Sequence, residues 1–362
     1  MRKEMSIMHE QFVGTRAVDP KQQFDVGRLE YYLERHIDGF KGPISLEQFS
    51  GGQSNPTFLL KASGAVYVLR RKPPGKLLPS AHAVDREYRV MTALYSTDVP
   101  VAKTYCLCED ETIIGTAFYV MDFVEGRVIW DGLLPEMELG ERSRIYDELN
   151  RVIAALHSVD HSAIGLDSFG RPGNFVERQI SRWIKQYRAS ETEHIEAMEN
   201  LIQWLPNNVP QSEEVSITHG DYRLDNVIFH PTEAKILSVL DWELSTLGHP
   251  VADLAYHCMY WRLTPGEFRG ISGVDHEATG IPNEEQYVER YCQRTGRGSI
   301  ENWDFYIAYN MFRLAGILQG IMGRVKDGTA SSAHAVDQGK RARPMAEAGW
   351  RQVEKILIKP TA

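Results

Sequence analysis

The sequence has little cysteine: four residues in 362, of which only Cys106 and Cys108 lie close together. A lone C-x-C pair is no metal motif, so reduced thiols of a cytoplasmic protein are expected rather than a disulfide framework. A basic excess is also missing. Lys and Arg number 40 against 49 Asp and Glu, for a formal charge of -9. That excludes a general nucleic-acid binder, although a local basic pocket for an anionic ligand stays compatible with it. No stretch approaches the roughly 18 apolar residues of a membrane span, so no membrane association is expected. Met1 to Glu10 carries charges and no apolar run, unlike a signal peptide. Internal repeats and low-complexity tracts are absent. His219, His230, His249 and His257 fit no metal-ligand spacing such as H-E-x-x-H, which leaves a zinc hydrolase unsupported. Ser50 and Ser54 flank a glycine pair without forming G-x-S-x-G, so a serine hydrolase is unsupported too.

Hydrophobic residues make up 43% and charged residues 25%, enough apolar material for a sizeable core. Residues 1–20 are polar and irregular and read as a mobile arm. Phe24 to Ile37 has helical apolar spacing, ended by Gly39 and Gly42-Pro43. Short strand-like runs follow at Ile44 to Phe49, Thr57 to Lys61 and Val66 to Arg71, with Gly51-Gly52-Gln53-Ser54-Asn55 as a turn between the first two. Asp85 to Tyr95 reads as a helix, and Thr104 to Cys108 and Thr116 to Met121 as strands. After Asp122 helices dominate: Glu141 to His157, Glu177 to Arg188, Glu285 to Thr295 and Trp303 to Lys326. A short β-rich segment, Ser216 to Trp242, interrupts them. The expected class is α+β, with a small β-rich lobe over 1–121 and a larger, mainly helical lobe over 122–362.

The chemistry concentrates in Ile217-Thr218-His219-Gly220-Asp221-Tyr222-Arg223-Leu224-Asp225-Asn226 and its sequel. A strand over Val227 to Phe229 follows, and a second, Ile236 to Leu240, ends in Asp241-Trp242-Glu243. Three polar groups, Asp221, Asn226 and Asp241, therefore sit at strand edges. Phosphoryl transfer needs a carboxylate to orient the attacking hydroxyl, oxygen ligands for magnesium, and cations or backbone amides for the nucleotide. One Asp and one Asn are a fitting protein share for magnesium, which keeps several of its waters. The D-x-x-x-x-N spacing matches the catalytic loop of protein kinases.

H-G-D-x-x-x-x-N followed by D-W-E resembles the aminoglycoside-phosphotransferase-like family of small-molecule kinases. The resemblance implies a protein-kinase-like bilobal fold and an ATP- and magnesium-dependent transfer of phosphate to a hydroxyl. It makes Asp221 the catalytic base and Asn226 and Asp241 the metal ligands. Gly248 to Ala255 is similar to the family's G-x-P-x-x-D-L-A segment, where Asp253 would support the catalytic loop. On the nucleotide side, Gly51, Gly52, Ser54 and Asn55 would form the phosphate-covering turn, since glycines let backbone amides approach phosphates. Arg70 stands where a lysine is expected, and arginine can grip phosphate bidentately. Strand alternation leaves open which of Arg70, Arg71 and Lys72 points inward, with Arg70 and Lys72 sharing a face. Glu87 would be the helix carboxylate partner, and Met121 and Phe123 belong to a run resembling the interlobe hinge that meets adenine. The segments G-G-Q-S-N-P-T, V-L-R-R-K-P-P-G-K-L-L, S-A-H-A-V-D-R-E-Y-R-V and F-R-L-A-G-I-L-Q-G-I are closest to the branch associated with acyl-CoA dehydrogenases. That branch implies a hydroxyacyl-CoA or related acyl compound as acceptor, and a functional link to such a dehydrogenase.

Two further features stand out. Arg178, Arg182, Lys185 and Arg188 make one helix face positive, either as a receiver of CoA phosphates or as a solvated face. Trp183, Tyr187, Trp261, Tyr309 and Phe312 could line an acyl pocket or belong to the core. The rival readings are a nucleotide-binding pseudokinase that regulates a partner enzyme, suggested by Arg70 in place of lysine, and an aminoglycoside-type antibiotic kinase.

Overall fold

The computed structural model describes residues 14–50, 55–75, 82–171, 173–212, 214–329 and 334–358. In chain order the main elements begin with β1 (Thr15–Arg16), α1 (Val26–His36), β2 (Ser45–Phe49), β3 (Thr57–Ala62) and β4 (Ala65–Arg71). Next come α2 (Val84–Leu94), β5 (Thr104–Cys108), β6 (Phe118–Asp122), α3 (Leu139–Ser158), α4 (Phe175–Ser190) and α5 (Glu196–Trp204). The chain continues through β7 (Ser216–Thr218), β8 (Val227–Phe229), β9 (Ile236–Val239), β10 (Thr246–Gly248) and α6 (Pro250–Cys258). It closes with α7 (Glu284–Thr295), α8 (Trp303–Lys326) and α9 (Ala342–Ile358). Contacts divide the chain into two compact units. The first holds 1–130, 164–166 and 225–245; the second holds 131–163, 167–224 and 246–362.

In the first unit a six-stranded antiparallel sheet runs in the order β1-β2-β3-β4-β6-β5. Alternation along the strands gives it two different faces. Phe58 and Leu60 of β3, Tyr67 and Leu69 of β4, and Phe118 and Val120 of β6 form a core with Leu29 and Leu33 of α1. Asp25 starts α1 by accepting from the Arg28 amide. The opposite face carries Arg70 beside its ladder partners Thr57 and Tyr119, and α2 packs on β5 and β6. The described part of the expected arm, residues 14–20, includes a short edge strand. Thr15 and Arg16 pair with Phe49 and Gln48, and the Asp19 amide donates to Gln48 Oε1 at 3.0 Å. Two residues of edge pairing leave no periodic signal, which is why they read as irregular.

The β8–β9 hairpin belongs to this first unit. Arg127 and Phe229 exchange two backbone hydrogen bonds of 2.9 Å, and the Val239 amide donates to Pro100 at 2.9 Å. Gly126 makes the approach possible, because a Cβ there would lie 2.3 Å from the Phe229 carbonyl oxygen.

The second unit is built on α8, against which α4, α6 and α9 pack. Its apolar positions run nearly all round: Phe305, Ile307, Ala308, Met311, Phe312 and Ala315 are all buried. A helix of that kind is a core element rather than a surface one. α3 packs on α7 and α5 on α9. A capping box of Asn283 and Gln286 starts α7. The short β7–β10 pair, with Ile217 opposite Leu247, carries the chain into His219-Gly220-Asp221. Among the described residues no helix is long and apolar enough to cross a membrane.

Candidate active-site residues in each unit

In the first unit the structure gathers Asn55, Arg70, Glu87 and Asp241. Alternation on β4 sends Arg70 toward α2 and Arg71 the other way, where Arg71 is buried against the rings of Phe24 and Phe58. Arg70 Nε lies 2.9 Å from Glu87 Oε2 as an ion pair, and its terminal nitrogen donates to Asp241 Oδ1 at 2.7 Å. Asn55 Nδ2 donates to Glu87 Oε1 at 2.8 Å, and the Tyr119 hydroxyl donates to Oε2 at 3.1 Å. His82 Nδ1 approaches Asn55 Oδ1 at 3.0 Å. Burial pushes the Glu87 carboxyl up, opposed by Arg70. Burial alone would also weaken the Arg70 charge, but Glu87, Tyr119 and Asp241 more than offset it, so Arg70 stays protonated. Lys72 lies past the end of β4, with Nζ 4.0 Å from Asp85. His82 lies in the S-A-H-A-V-D-R-E-Y-R-V segment and Tyr119 in the hinge-like run, but nothing in either segment announces their side-chain contacts with Asn55 and Glu87.

Asn226 and Asp241 come together at one end of the β8–β9 hairpin. Val227 pairs with Val239, and the Leu240 amide donates to the Asn226 carbonyl at 2.8 Å. Asp241 itself has φ of 64°, a left-handed conformation that Asp tolerates better than most residues. Asn226 stands one residue before the Val227–Val239 pair and Asp241 two residues after it, and an amide and a carboxylate are hard-oxygen donors of the kind that suits magnesium.

In the second unit Asp221 stands in a dense frame. Gly220, at φ of 82°, makes the turn before it. Asp253 accepts from the amides of His219 at 2.7 Å and Gly220 at 2.8 Å, and pairs with His157 Nε2 at 3.1 Å. Burial would raise the Asp253 carboxyl, but His157 and His219 outweigh it and hold it below the usual carboxylate range. Tyr291 in turn bonds His157 Nδ1 at 2.8 Å. Arg313 donates to the Gly220 carbonyl at 2.6 Å. The Asp221 carboxylate receives the Tyr256 hydroxyl at 2.6 Å, with Arg223 Nε 3.0 Å away, both on Oδ1. Tyr256, Arg313 and His157 are additions that the sequence did not announce, because each reaches the loop from a distant helix.

Gly51, Gly52 and Ser54 lie outside the described residues; β2 and β3 flank them as an antiparallel pair. Met121 pairs with Val68 and Thr104 near the end of β6, half-buried, and Phe123 follows it, 38% exposed. On α4 the four basic residues separate. Arg188 is tied to Glu199 and Glu191, and Arg178 donates to the carbonyls of Arg171 and Gly173. Arg178, Arg182 and Lys185 line an open groove of ≈ 550 Å³. Tyr187, Trp261, Tyr309 and Phe312 are buried core residues. Trp183 is half-buried, with the guanidinium groups of Arg182 and Arg313 5.8 and 5.9 Å from its ring.

A model described as phosphotransferase enzyme family matches residues 45–305. Mouse acyl-CoA dehydrogenase family member 10 is 48% identical over 341 residues, which cover 93% of this chain but 32% of that protein. The chain thus spans about a third of that relative's length. The crystal structure of a candidate aminoglycoside phosphotransferase from Ralstonia eutropha JMP134 is 60% identical with a TM-score of 0.86, covering 92% of this chain and 99% of that one. A thermostable mutant of an aminoglycoside phosphotransferase, solved with ADP and hygromycin B, has a TM-score of 0.57 at 15% identity, covering 89% of this chain and 97% of that one, a likeness of fold alone. With a family model over most of its length and such a relative across nearly all of it, the chain belongs to the phosphotransferase enzyme family, with a protein-kinase-like α+β fold, in the branch of the aminoglycoside-phosphotransferase-like kinases associated with acyl-CoA dehydrogenases.

Proposed function

We propose that the protein transfers the terminal phosphate of ATP to a hydroxyl group of an acyl-CoA-type acceptor. The observation that carries the kinase reading is the pairing of Arg70 with both Glu87 and Asp241, on a sheet of the family's fold. Arg70 is held charged and oriented by Glu87, ready to grip a phosphate bidentately. Asn226 and Asp241 would hold magnesium. When bound, that ion neutralises charge on the phosphates. The turn carrying Gly51, Gly52, Ser54 and Asn55 covers the phosphates in this reading, and the run through Met121 and Phe123 meets the adenine. Asp221 orients the acceptor hydroxyl and receives its proton as the phosphoryl group departs from ATP. Asp253 keeps the loop in register from behind, through the two amides it accepts.

The acceptor reading rests on charge and on the branch. Near Asp221 the second unit offers Arg223 and Arg313, and α4 adds a groove lined by Arg178, Arg182 and Lys185. A cationic aminoglycoside would find repulsion there, whereas the phosphates of a CoA ester would find partners. In the same reading a dehydrogenase acting on the same acyl chain is the functional partner.

The test is phosphate transfer from labelled ATP with magnesium to a panel of hydroxyacyl-CoAs, free hydroxy acids, aminoglycosides and amino alcohols. Transfer to a hydroxyacyl-CoA supports the full reading. Transfer to an aminoglycoside alone keeps the kinase and discards the acceptor. Nucleotide binding without transfer to any acceptor favours a regulatory pseudokinase.

A further inference from the structure

We infer that Tyr256 is a positioning residue for phosphoryl transfer: its hydroxyl, aimed by Arg313, fixes the orientation of the Asp221 carboxylate. The inference rests on the reading of Asp221 as the base and extends it to a second side chain.

The geometry is specific. Tyr256 lies on α6, one turn past Asp253, and is only 4% exposed. Its hydroxyl donates to Asp221 Oδ1 at 2.6 Å. Short bonds from a hydroxyl to a carboxylate are among the stronger neutral-to-charged hydrogen bonds. The tyrosine ring is itself held, because the Arg313 guanidinium sits 4.9 Å from its centroid. The same Arg313 donates to the carbonyl of Gly220, the residue immediately before Asp221. One cation on α8 therefore touches both the backbone behind the carboxylate and the ring that holds it. Asn310, one turn earlier on α8, donates to the Ala252 carbonyl at 2.8 Å and locks α8 to α6. Burial, then the nearby Asp221 charge, keeps the Tyr256 hydroxyl protonated well beyond neutral pH, so it remains a donor.

A carboxylate that must meet an incoming hydroxyl within a few tenths of an ångström gains from such a clamp, since small misplacements cost large factors in rate. Nucleotide contacts lie elsewhere in the proposed function. Loss of the Tyr256 hydroxyl should therefore slow turnover without loosening ATP.

The experiment compares wild type, Tyr256→Phe, Tyr287→Phe and Asp221→Asn for transfer from labelled ATP to the best acceptor of the panel, or to water if none is found. Tyr287 is equally buried in the same unit, and its hydroxyl has no hydrogen-bond partner among the described residues. The expected result for Tyr256→Phe is a kcat about 10- to 100-fold lower, with KM for ATP within about twofold and a melting point lowered by only the few degrees that one lost hydrogen bond costs. Tyr287→Phe should match wild type. Tyr256→Phe with wild-type kcat overturns the proposal, and so does a parallel loss of kcat, ATP affinity and melting point, which would mean a packing role. Asp221→Asn with wild-type turnover overturns the base assignment itself and the proposal with it. Loss in Asp221→Asn alone leaves the base standing and removes only Tyr256.

Discussion

Replacing Arg70 by alanine tests how far the first unit depends on one cation. The Arg70 side chain is 11% exposed and that of Glu87 only 2%. Without the guanidinium, Glu87 keeps the Asn55 amide and the Tyr119 hydroxyl but loses its counter-charge. Deleting one partner of a buried ion pair costs about 3–5 kcal/mol, because the other charge is left uncompensated. In folding units of ~150–250 residues each kcal/mol moves the melting point by about 2–4 °C, so a drop of roughly 6–20 °C is expected. The pH dependence fixes the sign. Burial already holds the Glu87 carboxyl above the usual range, and Arg70 opposes that rise. An acid whose folded pKa is raised contributes stability that is full below its unfolded value and lost as pH rises through the folded one. Removing Arg70 lifts the folded value further, so Glu87 can take up a proton in acid and escape most of the penalty. Thermal unfolding of wild type and Arg70→Ala at about pH 5, 6.5 and 8 should show a gap that widens with pH. A gap of equal size at all three, or none at the highest, refutes the reasoning. Replacing the pair together, Arg70→Met with Glu87→Gln, should recover much of the loss, since no charge stays buried alone and an oxygen acceptor remains for the Asn55 amide and the Tyr119 hydroxyl.

Asp253→Asn should cost about 3–5 kcal/mol of stability and at least ~100-fold in turnover, because the two amides of the catalytic loop lose their charged acceptor. Unfolding and transfer assays on the same preparation check both, and unaltered turnover contradicts the loop-support role. His249 and His257 are pushed down to about 4 by burial. The unfolded chain binds those protons first as pH falls, so stability is lost between about 6.5 and 4. His257→Phe, which keeps a ring among Tyr222, Trp261 and Tyr287, should flatten that slope by up to ~3 kcal/mol in urea unfolding across the window. An unchanged slope counts against it.

Much of the fold was legible because its signals are local. The helix read over Asp85 to Tyr95 is α2 (Val84–Leu94), and the strand read over Val66 to Arg71 is β4 (Ala65–Arg71). Apolar periodicity and turn residues carry that information along a few neighbours. Where the decisive contact is remote, the signal fades. α9 (Ala342–Ile358) packs on α8, and the residues it buries, among them Ala342, Ala346, Ala348 and Gly349, are mostly small, so little hydrophobic bulk marks it in the sequence. β1 is two residues long and exists through its pairing with β2. Nothing in 225–245 announces that it packs with the first unit; that follows from backbone bonds between Arg127 and Phe229 and between Pro100 and Val239. The candidate site divides in the same way. Asp221, Asn226 and Asp241 stand out by spacing within one short stretch. Alternation put Arg70 and Lys72 on one face without saying which basic residue points inward, and it is Arg70 that pairs with Glu87 and Asp241 in the structure. Tyr256 and Arg313 approach the loop from 35 and 93 residues away, where spacing says nothing.

The central claim, that Asp221 carries the transfer of phosphate from ATP, is tested most directly by one paired measurement. Labelled ATP with magnesium and a hydroxyacyl-CoA is given to wild type and to Asp221→Asn, with ATP affinity measured on both. The account predicts a phosphorylated acyl-CoA from wild type, a loss of at least ~1,000-fold in Asp221→Asn, and near-equal ATP affinity, since the base acts on the acceptor and not on the nucleotide. Transfer by Asp221→Asn at the wild-type rate would contradict it.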